Sequence, residues 1–125
     1  MRCPCGTGMP YDACCGPFHT GSTAAPTAEK LMRSRYSAFA LGDAEYLLRT
    51  WHSSTRPPSL RLDSSRRWLG LTIDATDGGG LLHKTGTVEF TASYQDGAFR
   101  GDQHENSRFV REHGRWSYLD GVALP

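Results

Sequence analysis

The spacing of the cysteines is the strongest constraint on how this chain can fold. All four lie near the amino terminus, as Cys3 and Cys5, then eight residues, then the adjacent pair Cys14 and Cys15. Residues that favour tight turns lie between and directly after them, namely Pro4, Gly6, Gly8, Pro10, Gly16 and Pro17. The turns predict that the four thiols converge on one point. A tetrahedral ion with soft thiolate ligands fits such a point, and that ion is Zn²⁺.

Two disulfides are the alternative to a metal site. Adjacent cysteines rarely bridge each other without strain, but each member of the first pair could reach one member of the second. The sequence begins Met1-Arg2-Cys3, without the apolar segment of a secretory signal. We therefore expect a cytoplasmic protein with reduced thiols, which favours the metal. His19 is a reserve ligand, but just beyond a complete set of four we expect a solvated loop residue.

The cysteine segment resembles the SEC-C zinc motif, known from the tail of the SecA translocation ATPase. The residues that carry the resemblance are Cys3-Pro4-Cys5-Gly6-Thr7-Gly8, Tyr11 and Cys14-Cys15-Gly16. The resemblance implies a small zinc-bound knuckle over residues 1–20 that docks on another macromolecule, such as a protein or the ribosome. Two features differ from SecA: Cys14-Cys15 replaces a Cys-His pair, and Met9, Pro10 and Asp12 lie where SecA is rich in lysine.

Length and charge limit the possible functions of the chain. With 125 residues it is about one domain long and can form a core without help from a metal. A net charge of +1 provides no general attraction to nucleic acid or to anionic membranes. No apolar run approaches the roughly 18 residues that a membrane span needs. We therefore expect a soluble protein without a membrane span.

The sequence after the knuckle first shows the periodicity of helices. Thr27 is the predicted N-cap of a first helix, which Gly42 ends, and Asp43 is the predicted cap of a second helix that extends to Trp51. Asp63 or Ser64 is expected to cap a short third helix that reaches Trp68. The first helix has an apolar stripe at steps of three and four residues, formed by Ala28, Leu31, Met32, Tyr36, Phe39 and Ala40.

Further along, the period changes to two, which is typical of strands. We expect strands at Leu69–Thr76, Lys84–Gln95, Asp102–Glu112 and Arg115–Asp120. Asp77–Gly80 is expected to form a loose turn, and Asp96-Gly97 and His113-Gly114 to form hairpin turns. Helices followed by an antiparallel meander predict an α+β domain over residues 26–125, with helices packed on one face of a curved sheet.

The third strand is the least apolar, although it should be central. Alternation places Glu105, Ser107, Phe109 and Arg111 on one face. This pattern predicts either a polar-lined cavity or a sheet face that meets a partner. The alternative, which we slightly favour, is that Glu105 and Arg111 are solvated and Phe109 alone fills the core.

A second candidate site lies at Trp51-His52, where a helix leaves the core. His52 could act as a general base if Glu105 or Asp120 oriented it, whereas a histidine held by its own loop is the more ordinary role. The predicted pocket consists of Trp51, His52, Glu105, Ser107 and Tyr118. We expect most arginines in the segments 33–36 and 66–68 to be helix-surface residues or partners of acidic groups.

The main domain resembles the bacterial YchJ family. The residues that carry this resemblance are Leu31–Phe39, Tyr46-Leu47, Thr50–His52, Thr55–Pro57, His104–Phe109, Gly114–Trp116, Tyr118 and Asp120-Gly121. The resemblance implies a nuclear-transport-factor-two-like (NTF2-like) fold, which is a cone of helices around a strongly bent antiparallel sheet. The family has no established reaction, so the resemblance does not settle the function.

Two classes of function remain open. In the first, which we favour, the protein is a binding or adaptor module: the knuckle docks on a macromolecule, and a closed set of four thiolates makes its zinc structural. In the second, the cone is a cofactor-free enzyme or a receptor for a small ligand, with His52 beside Glu105 or Asp120. Cones of this kind frequently pair through the outer face of the sheet, so a homodimer is one partner that the resemblance allows, although the sequence does not determine the oligomeric state.

Overall fold

The helices precede a single antiparallel sheet, and the computed structural model describes all of residues 1–125. A 3₁₀ turn at Tyr11–Ala13 is followed by the helices α1 (Gly16–Thr20), α2 (Ala28–Leu41) and α3 (Ala44–Arg49). The strands are β1 (Arg66–Gly78), β2 (Thr85–Asp96), β3 (Phe99–Glu112) and β4 (Arg115–Ala123), in the spatial order β1-β2-β3-β4. This arrangement confirms the predicted α+β class. No helix in the structure is both long enough and apolar enough to cross a lipid bilayer.

The predicted caps of α2 and α3 are confirmed. The Thr27 hydroxyl accepts a hydrogen bond from the backbone N–H of Lys30 at 3.1 Å, and Asp43 accepts one from the N–H of Tyr46 at 3.1 Å. Gly42 lies between the helices with φ of 78°, a left-handed conformation that glycine adopts without strain. Helix α3 ends at Arg49, two residues before the predicted end at Trp51.

Helix α2 is buried on more sides than its apolar stripe predicted. Leu31, Met32 and Tyr36 belong to the main core, while Ala40 is exposed. The stripe did not predict the buried polar residues of this helix, which are Ser34, Arg35 and Ser37. Because both sheet and cysteine segment pack against α2, polar positions of the helix also become interior.

The sheet is a meander of long strands joined by short turns. Asp96 pairs with Phe99 and Glu112 pairs with Arg115, so both predicted hairpins are confirmed. One face of the sheet supplies most of its buried side chains: Val88, Phe90, Ala92, Ser107, Phe109 and Trp116. The register shifts in β1 and between β3 and β4 mark irregularities of the kind that bend strands.

Two local predictions were wrong. The predicted third helix does not form, because Asp63 accepts hydrogen bonds from the N–H (3.0 Å) and hydroxyl (2.6 Å) of Ser65 and so closes a turn. Trp68 lies in β1, opposite Tyr94. The segment at Asp77–Gly80 is not a loose turn either: β1 continues to Gly78, and the Gly79 carbonyl accepts a hydrogen bond from the first N–H of α2 at 2.9 Å.

The cysteine segment packs into the same core as the sheet. Cys3, Cys5 and Cys15 are buried in one cluster with residues of α2, β2, β3 and β4. Arg33 of α2 adds a hydrogen bond from Nη1 to the Cys5 carbonyl oxygen at 2.9 Å. Residues 1–20 are therefore part of the same folded domain and pack against α2.

Candidate metal centre and cone cavity

The four cysteine sulfurs converge, as their spacing predicted. Their Sγ atoms all lie within 4.8 Å of one another, and Cys5 Sγ is 3.6 Å from Cys14 Sγ. All four cysteines are free. In a tetrahedral site with metal–sulfur bonds of about 2.3 Å, two sulfurs are about 3.8 Å apart. The cluster therefore has the donor set and the spacing of a metal site rather than of two disulfides.

Hydroxyl groups hold every one of the four sulfurs in place. The Ser37 hydroxyl of α2 lies 3.4 Å from Cys3 Sγ and 3.4 Å from Cys15 Sγ. The Thr7 hydroxyl lies 3.2 Å from Cys14 Sγ and 3.8 Å from Cys5 Sγ. Partners of this kind fix the orientation of metal ligands. Ser37 also links the cluster to the centre of the domain.

The pKa values of the cysteine thiols shift in opposite directions, because the thiols interact with one another. Hydrogen bonds from neighbouring thiols, first that of Cys15, lower the pKa of Cys5 to about 4. The same hydrogen bond and burial raise the pKa of Cys15, and burial raises the pKa of Cys14. One thiolate thus forms at the expense of its neighbours. A divalent metal ion would allow all four thiolates to coexist, since it neutralises their charge.

His19 is neither a ligand nor a solvated loop residue, and that prediction was wrong. It lies in the last turn of α1, half-buried, with its Nδ1 2.6 Å from the Tyr11 hydroxyl. Its Nε2 lies 2.8 Å from the carbonyl oxygen of Ser34. One ring nitrogen therefore makes a contact within the cysteine segment, and the other attaches this segment to α2.

A cavity of about 290 Å³ opens between α2 and the concave face of the sheet. We call it the cone cavity. Its walls are mainly aromatic and apolar, with a few polar groups, and the lining residues are Met32, Arg35, Tyr36, Phe39, Trp51, Arg66, Trp68, Phe90, Ala92, Gln103, Glu105, Ser107 and Tyr118. Of the five residues predicted for a pocket, this set contains Trp51, Glu105, Ser107 and Tyr118.

His52 does not line the cone cavity. Residues 50–52 run parallel to β4, since the N–H of His52 donates to the Tyr118 carbonyl at 2.7 Å and the N–H of Tyr118 donates to the Thr50 carbonyl at 2.8 Å. Successive side chains of an extended segment point to opposite sides. Trp51 therefore points into the cavity, and His52 points away from it.

The structure does not bring His52 to either predicted carboxylate. Its Nε2 contacts the Glu112 carboxylate, which is exposed near the end of β3, and its Nδ1 accepts from the backbone N–H of Ser54 at 3.1 Å. The predicted pairing of His52 with Glu105 or Asp120 is thus corrected to a surface pair with Glu112.

Asp120 is displaced from the cavity by a β-bulge. Phe109 pairs with Tyr118, but the preceding residue Arg108 pairs with Asp120, so the register shifts by one at Leu119. This shift turns the Asp120 side chain to the outer face, where it forms a double hydrogen bond with Arg108 at 2.5 and 2.6 Å. Strict alternation along β4 did not predict this.

Glu105 and Ser107 do face inward, which contradicts the simpler expectation that Phe109 alone of this face fills the core. Ser107 is buried, and Glu105 is half-buried at the cavity wall. The Gln103 amide donates a hydrogen bond to Glu105 Oε2 at 2.5 Å. The inner strand β3 therefore provides the polar-lined cavity wall that was one of the two predictions, and the alternative that we slightly favoured was wrong.

Arg35 is the residue of the cone cavity that sequence reasoning missed. It is only 4% exposed, and Nη1 donates to the Leu47 carbonyl at 2.7 Å and to the Thr50 hydroxyl at 2.7 Å. Its guanidinium lies over the rings of Tyr118 and Trp51, 4.5 and 5.2 Å from their centroids. Burial lowers the pKa of Arg35 to about 10, so it stays charged at neutral pH. The signal was its spacing: Arg35 lies three residues after Met32 and four after Leu31, inside the apolar stripe.

Comparison with known proteins gives two family matches. Residues 27–121 match the model of the YchJ middle NTF2-like domain, and residues 2–17 match the SEC-C motif. A UPF0225 protein of Streptomyces coelicolor is 58% identical over 98% of this chain and 95% of its own length. A UPF0225 protein of Deinococcus radiodurans is 51% identical over 96% of this chain and 88% of its own.

Solved structures agree with these matches. The solution structure of a SEC-C motif containing protein from Rhodopseudomonas palustris is 34% identical, covers both chains completely and superposes with a TM-score of 0.85. The crystal structure of a SEC-C motif containing protein from Psychrobacter arcticus is 30% identical over 98% of this chain and 82% of its own, with a TM-score of 0.78. The chain therefore belongs to the UPF0225 family, and in this member a SEC-C motif precedes a YchJ-type NTF2-like domain.

Proposed function

We propose that the protein is a zinc-containing binding module of the cytoplasm, in which the cysteine segment docks on a partner protein. The observation that carries this proposal is the arrangement of residues 1–20. The cysteines are buried or half-buried, whereas the loop between them, residues 6–10, is exposed throughout. The metal side of the segment thus faces the domain, and its loop faces outward.

Zn²⁺ is the proposed metal because four thiolates form a tetrahedral, soft donor set. When bound, it would supply charge neutralisation and a fixed loop geometry. With four protein ligands no position remains for a water or a substrate, so its role is structural. A reducing compartment keeps such thiolates available, which is the reason for placing the protein in the cytoplasm.

Elemental analysis of the purified protein tests the metal. We expect one zinc ion per chain, released when the thiols are modified with a mercurial reagent. Absence of zinc together with four titratable thiols would contradict this part of the proposal.

The proposed docking surface, which we call the methionine patch, consists of Met1 and Met9. Their exposed fractions are 76% and 48%, although methionine is an apolar residue. Methionine side chains adapt to different partner shapes. We therefore propose an apolar protein segment as the occupant, and treat ribosome binding as an outcome of the test.

Matched surface variants test the docking. Met9→Asp introduces a charge into the methionine patch, and Leu82→Asp introduces the same charge at a position that is 92% exposed in the β1–β2 connection. We expect a partner captured by the wild type and by Leu82→Asp to be lost with Met9→Asp and with Cys14→Ser. In calorimetric titrations, the purified partner should bind the wild type and Leu82→Asp more tightly than Met9→Asp and Cys14→Ser. Identical capture by all four proteins would refute docking through the cysteine segment, and co-sedimentation with purified ribosomes would reassign the partner.

A second candidate function is that of a receptor for a small ligand in the cone cavity. The observation in its favour is the combination of an aromatic lining with inward-facing polar groups in a volume of about 290 Å³. Ligand sites have this composition, and this volume suits a small molecule. The catalytic version is not proposed, since His52 lies outside the cavity. The homodimer through the outer sheet face stays a prediction, which sedimentation equilibrium tests.

A further inference from the structure

The cone cavity contains a buried cation that no carboxylate neutralises. Arg35 uses both hydrogens of Nη1 for Leu47 and Thr50, and its Nε and Nη2 groups find no acceptor in the protein. No acidic side chain lies within ion-pair distance of it. The guanidinium also lies over the faces of Trp51 and Tyr118. Arg35 as a residue is 4% exposed, and the three N–H groups of its Nε and Nη2 are unpaired within the chain but not fully enclosed, because the residue borders the open cavity.

A second unpaired donor lies beside it. Trp51 Nε1 is the one buried side-chain nitrogen or oxygen in the structure that has no hydrogen-bond partner. The Trp51 ring borders the same cavity and lies 5.2 Å from the Arg35 guanidinium. Buried polar groups are nearly always paired in native proteins. The enclosed indole N–H and the free guanidinium N–H groups that border the cavity beside it therefore point to an acceptor that the chain itself does not provide.

The other charged groups of the cavity are already paired. Arg66 forms a double hydrogen bond with Asp96 at 3.0 and 2.8 Å. Glu105 is bound by the Gln103 amide. An anion entering the cavity would therefore bind most favourably beside Arg35, because the anion would accept hydrogen bonds from N–H groups that have no other partner.

We infer that the cone cavity binds a small apolar monocarboxylate, whose carboxylate accepts hydrogen bonds from Arg35 and from Trp51 Nε1. This inference rests on the second candidate function, that of a small-ligand receptor. A carboxylate matches the planar guanidinium and has a second oxygen for the indole N–H. The apolar body of the ligand contacts the aromatic walls, among them Tyr36, Phe39 and Trp68.

The cavity disfavours more highly charged anions. Glu105 lies on the sheet side of the same cavity, and its negative charge would repel a dianion more strongly than a monocarboxylate. The volume of about 290 Å³ fits a molecule of the size of an aromatic acid. Phosphate and its monoesters are therefore expected to bind less well than a monocarboxylate.

Calorimetric titration of the zinc-loaded full chain with benzoate tests the inference. Benzyl alcohol and benzamidine serve as the neutral and the cationic probe, and inorganic phosphate as the dianionic one. We expect benzoate to bind with a Kd of about 1 mM or tighter, as its size permits. Benzyl alcohol should bind at least about tenfold more weakly than benzoate, since it has no charge with which to pair with the guanidinium.

Two arginine variants locate the binding. Arg35→Met should weaken benzoate binding about 10- to 100-fold and remove the preference for benzoate over benzyl alcohol. Arg49→Met is the matched control, because Arg49 also stacks on a tyrosine but is exposed to solvent. It should bind benzoate like the wild type. Trp51→Phe keeps the guanidinium and should weaken binding several-fold, which provides an independent readout if Arg35→Met does not fold.

The possible outcomes distinguish a failure of the carboxylate inference from a failure of the receptor function on which it rests. Equal binding of benzoate and benzyl alcohol would overturn the carboxylate inference and leave the receptor intact. Tighter binding of phosphate or benzamidine than of benzoate would also overturn it. If none of the four probes binds, both the inference and the receptor function fail.

Discussion

The cysteine cluster and the cone cavity use two different faces of helix α2, and they differ in how their polar groups are satisfied. Ser37 faces the cluster and Arg35 faces the cavity, two positions apart on a helix that turns about 100° per residue. In the cluster every sulfur has a hydroxyl partner within the chain. In the cavity Arg35 and Trp51 keep donors without acceptors.

This difference distinguishes a site that completes a fold from one that is prepared for a ligand. Four sulfur donors around one point have the spacing for a metal ion, and in our proposal its binding stabilises the fold. Hydrogen-bond donors without acceptors around an open cavity lower the stability of the protein until a ligand accepts their hydrogen bonds. Both sites are built on one helix, so a displacement of the whole of α2 should affect both, whereas a change to one side chain should affect only the site that it faces.

Removal of the metal should have the largest effect on the cysteine side. We expect chelation, or Cys15→Ser, to lower the free energy of unfolding by about 5 kcal/mol or more, because metal binding at a structural site is coupled to folding. Chemical denaturation followed by circular dichroism measures this change, and restoration by added zinc is the control. An unchanged denaturation midpoint after complete metal removal would show that the metal does not stabilise the fold.

The second largest effect is expected from a backbone clash at Gly79, whose carbonyl accepts a hydrogen bond from the first N–H of α2. A Cβ at Gly86 would lie 2.5 Å from Gly79 Cα, and the Gly79 carbonyl holds the first turn of α2. We expect Gly86→Ala to lower the free energy of unfolding by about 2–4 kcal/mol and to weaken both sites. Gly70→Ala is the control, since its Cβ would meet no atom within 4 Å. Equal stability of the two variants would show that this contact does not hold α2.

Ser37→Ala should act on the cysteine side alone. Loss of the hydroxyl beside Cys3 and Cys15 should reduce metal affinity about 10- to 100-fold, as for other partners of metal ligands. Competition with a chromophoric chelator measures this affinity. Benzoate binding should not change. A variant with unaltered metal affinity would remove Ser37 from the metal site.

The smallest effect is expected on the outer face of the sheet, where the side chains of Asp74, Glu89 and His104 lie close together. His104 Nε2 lies 2.7 Å from Glu89, and this hydrogen bond raises the pKa of His104. A raised pKa in the folded state adds stability that is present below the ordinary histidine pKa and lost as the pH rises through the raised value. The stability difference between wild type and His104→Gln should therefore be larger at pH 5 than at pH 9. A His104 pKa at or below its ordinary value, measured by NMR, would contradict this.

The cysteine side was predictable from the sequence, and the cavity only in part. The spacing around Cys3 and Cys15 and the caps Thr27 and Asp43 act over a few residues, so local reasoning found them. The positions of His52 and Asp120 depend on a parallel contact with β4 and on a one-residue bulge, which only the folded sheet determines. Arg35 was treated as a surface residue because of its charge, although its spacing placed it in the core stripe.

The indole N–H of Trp51 provides the most direct measurement of the contrast between the two sites. In ¹H–¹⁵N spectra of the zinc-loaded protein, Trp51→Phe identifies its signal among those of Trp51, Trp68 and Trp116. We predict that benzoate shifts the Trp51 signal in the direction of a stronger hydrogen bond, while the Trp116 signal, whose N–H already donates to the Pro26 carbonyl at 3.1 Å, stays in place. A saturating benzoate titration that leaves the Trp51 signal unmoved would contradict the account of the cavity as a site waiting for an anion.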